Sequence, residues 1–128
     1  MALLNLADAL TQAGQMPRAA ATLSHALKIA PGDPLLWYQL GVTQSAAEHD
    51  AAAIAVFEMA ASLDPDFIEA HNALGAALAA RGDLDRAEKE LLRALQLNPD
   101  FPEALGNLGH LLAARRDPNR QRSTSHDP

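Results

Sequence analysis

The chain lacks cysteine altogether and holds few of the residues that favour a β-sheet. Without cysteine it can form no disulfide, no zinc site with thiolate ligands and no thiol nucleophile. Valine and isoleucine together occupy only five positions, so an all-β fold is excluded. No apolar run approaches the roughly 18 residues of a membrane-spanning helix, so we expect no membrane partner. The N-terminal segment has no basic stretch and carries Asn5 and Asp8, which is atypical of a signal peptide, and we expect a cytoplasmic protein.

Basic residues are also scarce. Ten Lys and Arg stand against 16 Asp and Glu, and the formal net charge is −6. Binding to nucleic acid needs clustered cations that neutralise phosphates, so we expect no nucleic-acid partner. What the chain has in abundance is 28 alanines and 21 leucines, both strong helix formers. The composition therefore indicates a helical domain.

The sequence repeats with a period of 34 residues, most visibly at Pro31, Pro65 and Pro99. A fixed period of roughly 20–50 residues is typical of a stacked array. Small and large apolar residues keep the same step, in the columns Ala7, Gly41, Gly75 and Gly109; Ala19, Ala53 and Ala87; Ala26, Ala60 and Ala94; Leu6, Leu40, Leu74 and Leu108; and Leu23, Phe57 and Leu91.

Each unit contains two amphipathic segments, because apolar residues recur at steps of three and four. Asp33 and Pro34 form a helix start signal, and the three periodic prolines end the second helix of each pair. Gly14 and Gly82 fall between paired helices, where a tight turn is needed. The pattern predicts first helices over 2–13, 34–46, 68–80 and 102–114, and second helices over 17–30, 51–63 and 85–97.

The second unit, PLLWYQLGVTQSAAEHDAAAIAVFEMAASLDPDF, carries a specific set of spaced residues: Trp37, Leu40, Gly41, Ala53, Phe57, Ala60 and Pro65. This set resembles the tetratricopeptide repeat pattern W-x2-L-G-x2-Y, A-x3-F, A, P, with Gln44 in place of the second aromatic. The neighbouring units match less completely, at Leu6, Ala19, Ala26 and Pro31 and at Leu74, Gly75, Ala87, Ala94 and Pro99.

The resemblance covers residues 1 to about 115 and implies an all-α, right-handed α-solenoid of stacked helix-turn-helix repeats. We expect units at about 1–33, 34–67 and 68–101 and a final helix at 102–115. The remaining 116–128 has no apolar residue able to pack, and we expect it to be a disordered basic tail.

The family implies that the first helix of each pair faces a concave groove that binds a protein or peptide partner. The candidate groove residues are Leu4, Asp8, Leu35, Tyr38, Gln39, Val42, Glu69, Asn72, Ala76, Asn107 and His110. The predicted first helices contain no Lys or Arg, and their charged residues are Asp8, Glu69 and Glu103. Family members that hold the C-terminal carboxylate of chaperone peptides use Lys, Arg and Asn on this face. The clamp is therefore missing, because the equivalent residues are Leu4, Asp8, Gln39, Glu69 and Ala73.

Tyr38 is the predicted anchor for a partner. It lies next to Trp37, which we expect in the core, but one helical step of ~100° turns it off the core face. Aromatic residues concentrate at interface hot spots, although Tyr38 could instead pack on the neighbouring unit. The amides Asn5, Gln39 and Asn107 resemble the asparagine ladder of O-linked N-acetylglucosamine transferases, with an interruption at Ala73. Ordinary solvated amides are the alternative.

Other constellations are weak. No two of the five histidines are three or four residues apart, so we expect no metal site, and His71 stands in a core column. No nucleophile, base and orienting group occur at a recognisable spacing, so we expect no catalytic residue and no cofactor. The stretch 33–69 holds seven carboxylates and no Lys or Arg, which fits a solvated face better than a docking site for a basic partner.

The favoured hypothesis is a non-enzymatic interaction module that holds an extended segment or a helix of a partner. One alternative is that the repeats are the targeting part of a larger enzyme, such as a glycosyltransferase or sulfotransferase. The other is a self-assembling scaffold, a homodimer or an end-to-end stack, because both end helices carry apolar residues that no further helix covers. These residues are Ala2, Leu3 and Leu6 at one end and Leu105, Leu108, Leu111 and Leu112 at the other.

Overall fold

Seven helices follow one another along the part of the chain that the computed structural model describes, residues 2–116 without the side chains of Ala2 and Leu4. The predicted tail beyond Arg116 lies outside the described residues. Within them no strand occurs, which confirms the all-α helical repeat solenoid. The helices are α1 (Ala2–Gln12), α2 (Met16–Ile29), α3 (Pro34–Ala46), α4 (Asp50–Leu63), α5 (Ile68–Ala80), α6 (Leu84–Leu97) and α7 (Pro102–Arg116).

The helix ends agree with the predicted ends to within two residues, and the largest difference is at the end of α7. There Arg115 and Arg116 are helical, although they were expected to end the array or begin the tail. Arg115 Nη2 lies 2.7 Å from Asp85 Oδ1 and 3.2 Å from Glu88 Oε1, both on α6. Cations at a helix C-terminus also interact favourably with the helix dipole. The ion pairs and the helix dipole therefore account for the two additional residues of α7.

The turns within units show what the backbone requires there. Gly14 and Gly82 have φ values of 79° and 86°, in the left-handed region that glycine adopts without steric cost. The equivalent residue of the second unit is Glu48, with a φ of 62°. This strained residue is visible in the sequence only as a departure from the 34-residue column of glycines.

Contacts between helices define two layers. Each helix packs on the next, and α1, α3, α5 and α7 also contact one another in succession. Among the described residues, α2, α4 and α6 make no such contacts with each other. The odd-numbered helices are thus the closely spaced inner layer of a curved stack, and the even-numbered helices form the outer layer.

The core lies between these layers and depends on the columns of small residues. Ala19, Ala53 and Ala87 are fully buried. A methyl group added to Gly41 would overlap the Phe57 ring, and one added to Gly75 would lie 2.7 Å from Leu91 Cγ. Close packing of this kind lets each large side chain of the outer layer reach the backbone of the inner helix.

The column of large leucines is buried only inside the stack. Leu40 and Leu74 are 8% and 3% exposed, whereas Leu6 is 48% exposed. Leu6 lies in the same column but was expected to be uncovered at the end of the stack, and its exposure agrees with that expectation. It differs because, within the described residues, no helix precedes α1.

Candidate functional site

The inner layer brings several of the predicted groove residues together in pairs. Gln39 Nε2 donates to Asp8 Oδ1 at 3.4 Å, which joins α3 to α1. Asn107 Nδ2 donates to Asn72 Oδ1 at 2.9 Å, which joins α7 to α5. The amides therefore bond to neighbouring helices and do not form one continuous ladder along the groove.

Tyr38 is half-buried where the second and third units meet. Its ring centroid lies 5.1 Å from that of Phe67 and 5.9 Å from that of Phe57, with tilted planes in both pairs. Burial raises the pKa of the phenol, and the nearby carboxylates of Glu69 and Glu103 raise it further. The side chain thus packs on the neighbouring unit, as the alternative interpretation held, near the carboxylates of Glu69 and Glu103.

The inner layer is anionic. Asp8, Glu69 and Glu103 are exposed, and none of them forms an ion pair with a described Lys or Arg. The odd-numbered helices carry basic residues only at the C-terminal end of α7. The arginine ion pairs all involve Arg86 or Arg93 of α6 or Arg115, and they join residues of the outer layer to their neighbours.

A pocket of about 380 Å³ opens between α3, α4 and α5. Most of its surface is apolar, and Asp50 is the one ionisable residue of its lining. The lining residues are Val42, Ser45, Ala46, Asp50, Phe57, Ala73, Ala76, Ala77 and Ala80. The pocket can accept a side chain of a bound segment, and the carboxylate of Asp50 gives its lining a negative charge.

Two of the predicted groove residues, Val42 and Ala76, line this pocket. Leu35 on α3 and His110 on α7 are exposed and make no side-chain hydrogen bond with a described residue. The side chain of Leu4 is outside the described part of the chain. Together with the two bonded pairs and Tyr38, the predicted residues are therefore spread along the groove, with the pocket at its centre.

Asp50 was missed as a pocket residue. From the sequence it belongs to the acidic stretch and precedes a second helix. A signal was nevertheless present, because the 34-residue step relates it to Met16 and Leu84, which are apolar. Ala46, Ala77 and Ala80 gave no signal, because alanine at those positions is also what a packed helix needs.

His71 is a packed core histidine, as predicted, with 8% of its surface exposed. Its Nδ1 lies 2.8 Å from Glu90 Oε1 and its Nε2 lies 2.7 Å from the Pro65 carbonyl oxygen. The hydrogen bond with Glu90 raises the pKa of the imidazole, with burial opposing and the bond to Pro65 adding to it. No group of three His, Cys, Asp or Glu residues between 2 and 116 is arranged to hold a metal ion.

A ring nitrogen also bonds a proline carbonyl oxygen in the preceding unit, at the equivalent turn. Trp37 Nε1 donates to the Pro31 carbonyl oxygen at 2.7 Å, and Trp37 packs half-buried against the core. Trp37 and His71 are equivalent by the 34-residue step, and so are their proline acceptors. The next residue of the column is Leu105, which has no ring nitrogen to offer.

None of the helices described has both the length and the apolar character that crossing a membrane requires.

Comparison with known proteins identifies the class of the fold. Tetratricopeptide repeat profiles match residues 1–43 and 68–111, and a second profile of the same description matches residues 35–67. The chain therefore belongs to the tetratricopeptide repeat family. No curated protein sequence matches it.

Solved structures show the same architecture. The first repeat domain of Spaghetti (RPAP3), bound to the HSP90 peptide SRMEEVD, superposes with a TM-score of 0.86 at 23% identity, over 90% of this chain and 91% of that one. The Sgt2 repeat domain from Aspergillus fumigatus gives 0.87 at 21% identity, over 92% and 80%. An O-GlcNAc transferase mutant from Thermobaculum terrenum gives 0.81 at 29% identity, over 87% of this chain and 21% of that one.

Proposed function

We propose that this chain is a protein-interaction module that binds an extended peptide segment or a helix of a partner along the inner layer of α1, α3, α5 and α7. The observation that carries the proposal is the Asn72–Asn107 pair. Asn107 uses one amide hydrogen to bond Asn72, so Asn72 keeps its own NH2 group and Asn107 keeps its carbonyl oxygen. One donor and one acceptor side by side can bond the backbone of a bound segment.

The charge of the inner layer supports a neutral or basic segment. Asp8, Glu69 and Glu103 would repel an acidic ligand, and no Lys or Arg of the described residues pairs with them to hold a carboxylate. The Spaghetti repeat domain is bound to SRMEEVD, a peptide with three acidic residues. We expect this chain not to bind that peptide, and a calorimetric titration with micromolar affinity would contradict the proposed polarity of the groove.

Selection from a random displayed peptide library tests the function directly. Selected peptides are expected to lose binding about tenfold on Asn72→Ala and on Asn107→Ala, which corresponds to about 1.4 kcal/mol. The matched control is Gln96→Ala, the same truncation of an exposed amide on the outer helix α6. Peptides that bind both groove variants as well as the parent would place the binding surface elsewhere and remove the proposal.

Self-assembly is a second candidate, favoured by the open face of α7. A methyl group at Gly109 meets nothing within 4 Å, whereas the equivalent positions Gly41 and Gly75 are filled by side chains of the outer layer. Leu105 and Leu112 are 49% and 41% exposed on α7, and Leu6 is 48% exposed on α1. Fully burying one exposed leucine contributes roughly 1.5–3 kcal/mol, so covering two half-exposed leucines contributes about that amount together.

Light scattering over a concentration series separates this candidate from the first. An end-to-end dimer or longer stack is expected to grow with concentration and to dissociate on Leu112→Glu. A monomer at high micromolar concentration, unchanged by that substitution, would remove self-assembly and leave the groove as the functional surface.

The third possibility, repeats that target a larger enzyme, has the transferase similarity in its favour. Its ladder of amides is not reproduced here, since Gln39 bonds Asp8 and Ala73 stands between Gln39 and Asn107 in the column. A catalytic region in the same reading frame would support this possibility over an independent module.

A further inference from the structure

The pocket between α3 and α5 exists because α5 has alanine at three repeat positions where α3 and α7 have larger residues. In α3 these columns hold Gln39, Val42 and Thr43, in α7 they hold Asn107, His110 and Leu111, and in α5 they hold Ala73, Ala76 and Ala77. All three alanines line the pocket. The volume that larger residues fill elsewhere is left open in α5.

The other junctions of the inner layer are closed by hydrogen bonds. Thr11 Oγ1 and Thr43 Oγ1 lie 2.9 Å apart between α1 and α3, beside the bond from Gln39 to Asp8. Between α5 and α7 the Asn72–Asn107 bond does the same. No side-chain hydrogen bond joins the described residues of α3 to those of α5. The pocket therefore opens at the inner-layer junction that no side-chain hydrogen bond joins among the described residues.

A second departure from the repeat adds a charge to this pocket. Asp50 occupies the column of Met16 and Leu84, and Leu84 packs against the core. Asp50 is half-buried and forms no side-chain hydrogen bond or ion pair with any residue between 2 and 116. Asp50 is the acid in the first turn of α4, where it favours the helix through the helix dipole, whereas the first-turn acid of α6 is the exposed Asp85, one position later in the repeat.

The lining fits a long aliphatic stem that ends in a positive charge. Val42, Phe57 and the alanines offer apolar contact to methylene groups, and basic side chains commonly bury such stems while their charged heads stay at a polar edge. A carboxylate then forms a charge-assisted hydrogen bond with an ammonium or guanidinium group. A leucine or methionine would fill the same volume, but it would displace water from the Asp50 carboxylate without forming a hydrogen bond in its place, which is unfavourable.

Resting on the proposed peptide-binding function, we infer that the pocket lined by Phe57, Ala76 and Asp50 is a subsite for a lysine or arginine side chain of the bound segment. The stem of that residue lies between α3 and α5, and its cation pairs with Asp50. The carboxylates of Glu69 and Glu103 on the same inner layer attract the same sign of ligand.

The test starts from the peptides that display selection returns and asks what they have in common. A lysine or arginine at one fixed position is expected. One such peptide is then made with lysine, arginine or norleucine at that position, and each version is titrated into the parent domain and into Asp50→Asn. Norleucine keeps the stem and removes the charge.

Asp50→Asn is expected to weaken the lysine and arginine peptides about tenfold, or about 1.4 kcal/mol, and to leave the norleucine peptide unchanged or tighter. Asp100→Asn is the matched control, because it removes the same charge from an exposed residue outside the inner layer. Ala76→Leu, which fills the pocket, is expected to weaken all three peptides.

The outcomes separate this subsite from the proposed function. Peptides that respond to Asn72→Ala but carry no basic residue, or bind Asp50→Asn and Asp100→Asn alike, overturn the subsite and leave the groove function standing. Failure to select any peptide that responds to the groove variants overturns both. The lysine and arginine versions show which cation the pocket prefers.

Discussion

The same repeat position is packed in the interior of the stack and open at its end. Gly41 and Gly75 are covered by Phe57 and Leu91 of the following helix, while Gly109 on α7 faces nothing within 4 Å. His71 is 8% exposed, whereas Leu105, the equivalent residue on the open face of α7, is 49% exposed. The difference shows that a motif residue is not always buried or closely packed. Its burial depends on whether another helix packs against it.

The largest expected effect comes from removing an interior side chain. Phe57→Ala should lower the free energy of unfolding by about 3–5 kcal/mol, because it removes buried apolar surface and leaves a cavity. Leu105→Ala on the open face of α7 should cost about 1 kcal/mol or less, since half of that side chain is already in water. Urea denaturation of both variants measures the contrast, and equal losses would show that α7 is covered in solution.

A methyl group at equivalent glycines should have opposite effects. Gly75→Ala should destabilise the fold by about 1–3 kcal/mol, because the added group meets Leu91 and the Ala87 backbone. Gly109→Ala should stabilise it by up to about 1 kcal/mol through helix propensity, because no atom lies in the way. Thermal melting reports both signs. A destabilised Gly109→Ala variant would mean that another helix occupies that face.

Stability should also depend on pH through the interior histidine. The pKa of His71 is raised in the folded state by its hydrogen bond with Glu90, so protonation stabilises the fold. This contribution is fully present below the ordinary pKa of about 6.5 and is lost as pH rises through the raised value. Urea midpoints at a series of pH values measure it. His71→Gln and Glu90→Gln should each flatten the profile, and an unchanged slope in both would exclude His71 as its source.

The smallest expected effect is at the turn of the second unit, where Glu48 stands in the column of Gly14 and Gly82. Glu48→Gly should raise the free energy of unfolding by about 0.5–1 kcal/mol, because glycine adopts the left-handed backbone without the steric cost that Glu48 bears. Glu48→Ala is the control that removes the carboxylate and keeps the strain. Equal stability of the two variants would assign the gain to charge.

The fold was predictable because its information is repeated. Each of the three prolines and each column of small residues appears several times at the same step, so helix number, order and ends follow from the sequence within two residues. The structure departs most from the predicted helix ends at the last turn of α7, where Arg115 pairs with Asp85 and Glu88 of α6. A periodic apolar pattern contains no information about ion pairs of this kind.

The site was less predictable, because its pocket results from small side chains that leave space between helices. Ala76 was predicted on the groove face, but only the packing of α5 against α3 and α4 shows that Ala73, Ala76 and Ala77 together leave space. The pairs Asp8–Gln39 and Asn72–Asn107 depend on the offset between adjacent helices, which spacing within one helix does not specify. The expected exposure of Tyr38 failed in part for the same reason, since Phe67 belongs to the turn before the next unit.

The two ring nitrogens that bond proline carbonyls have a mechanical consequence. Trp37 and His71 each latch the turn that precedes their own helix, so the angles at which α3 and α5 leave those turns are held by a directional bond as well as by packing. Leu105 provides no such latch for α7. The angle at which α7 leaves its turn is therefore held by packing and by the bonds of Asn107 to α5 and of Arg115 to α6, without a ring nitrogen at the turn itself.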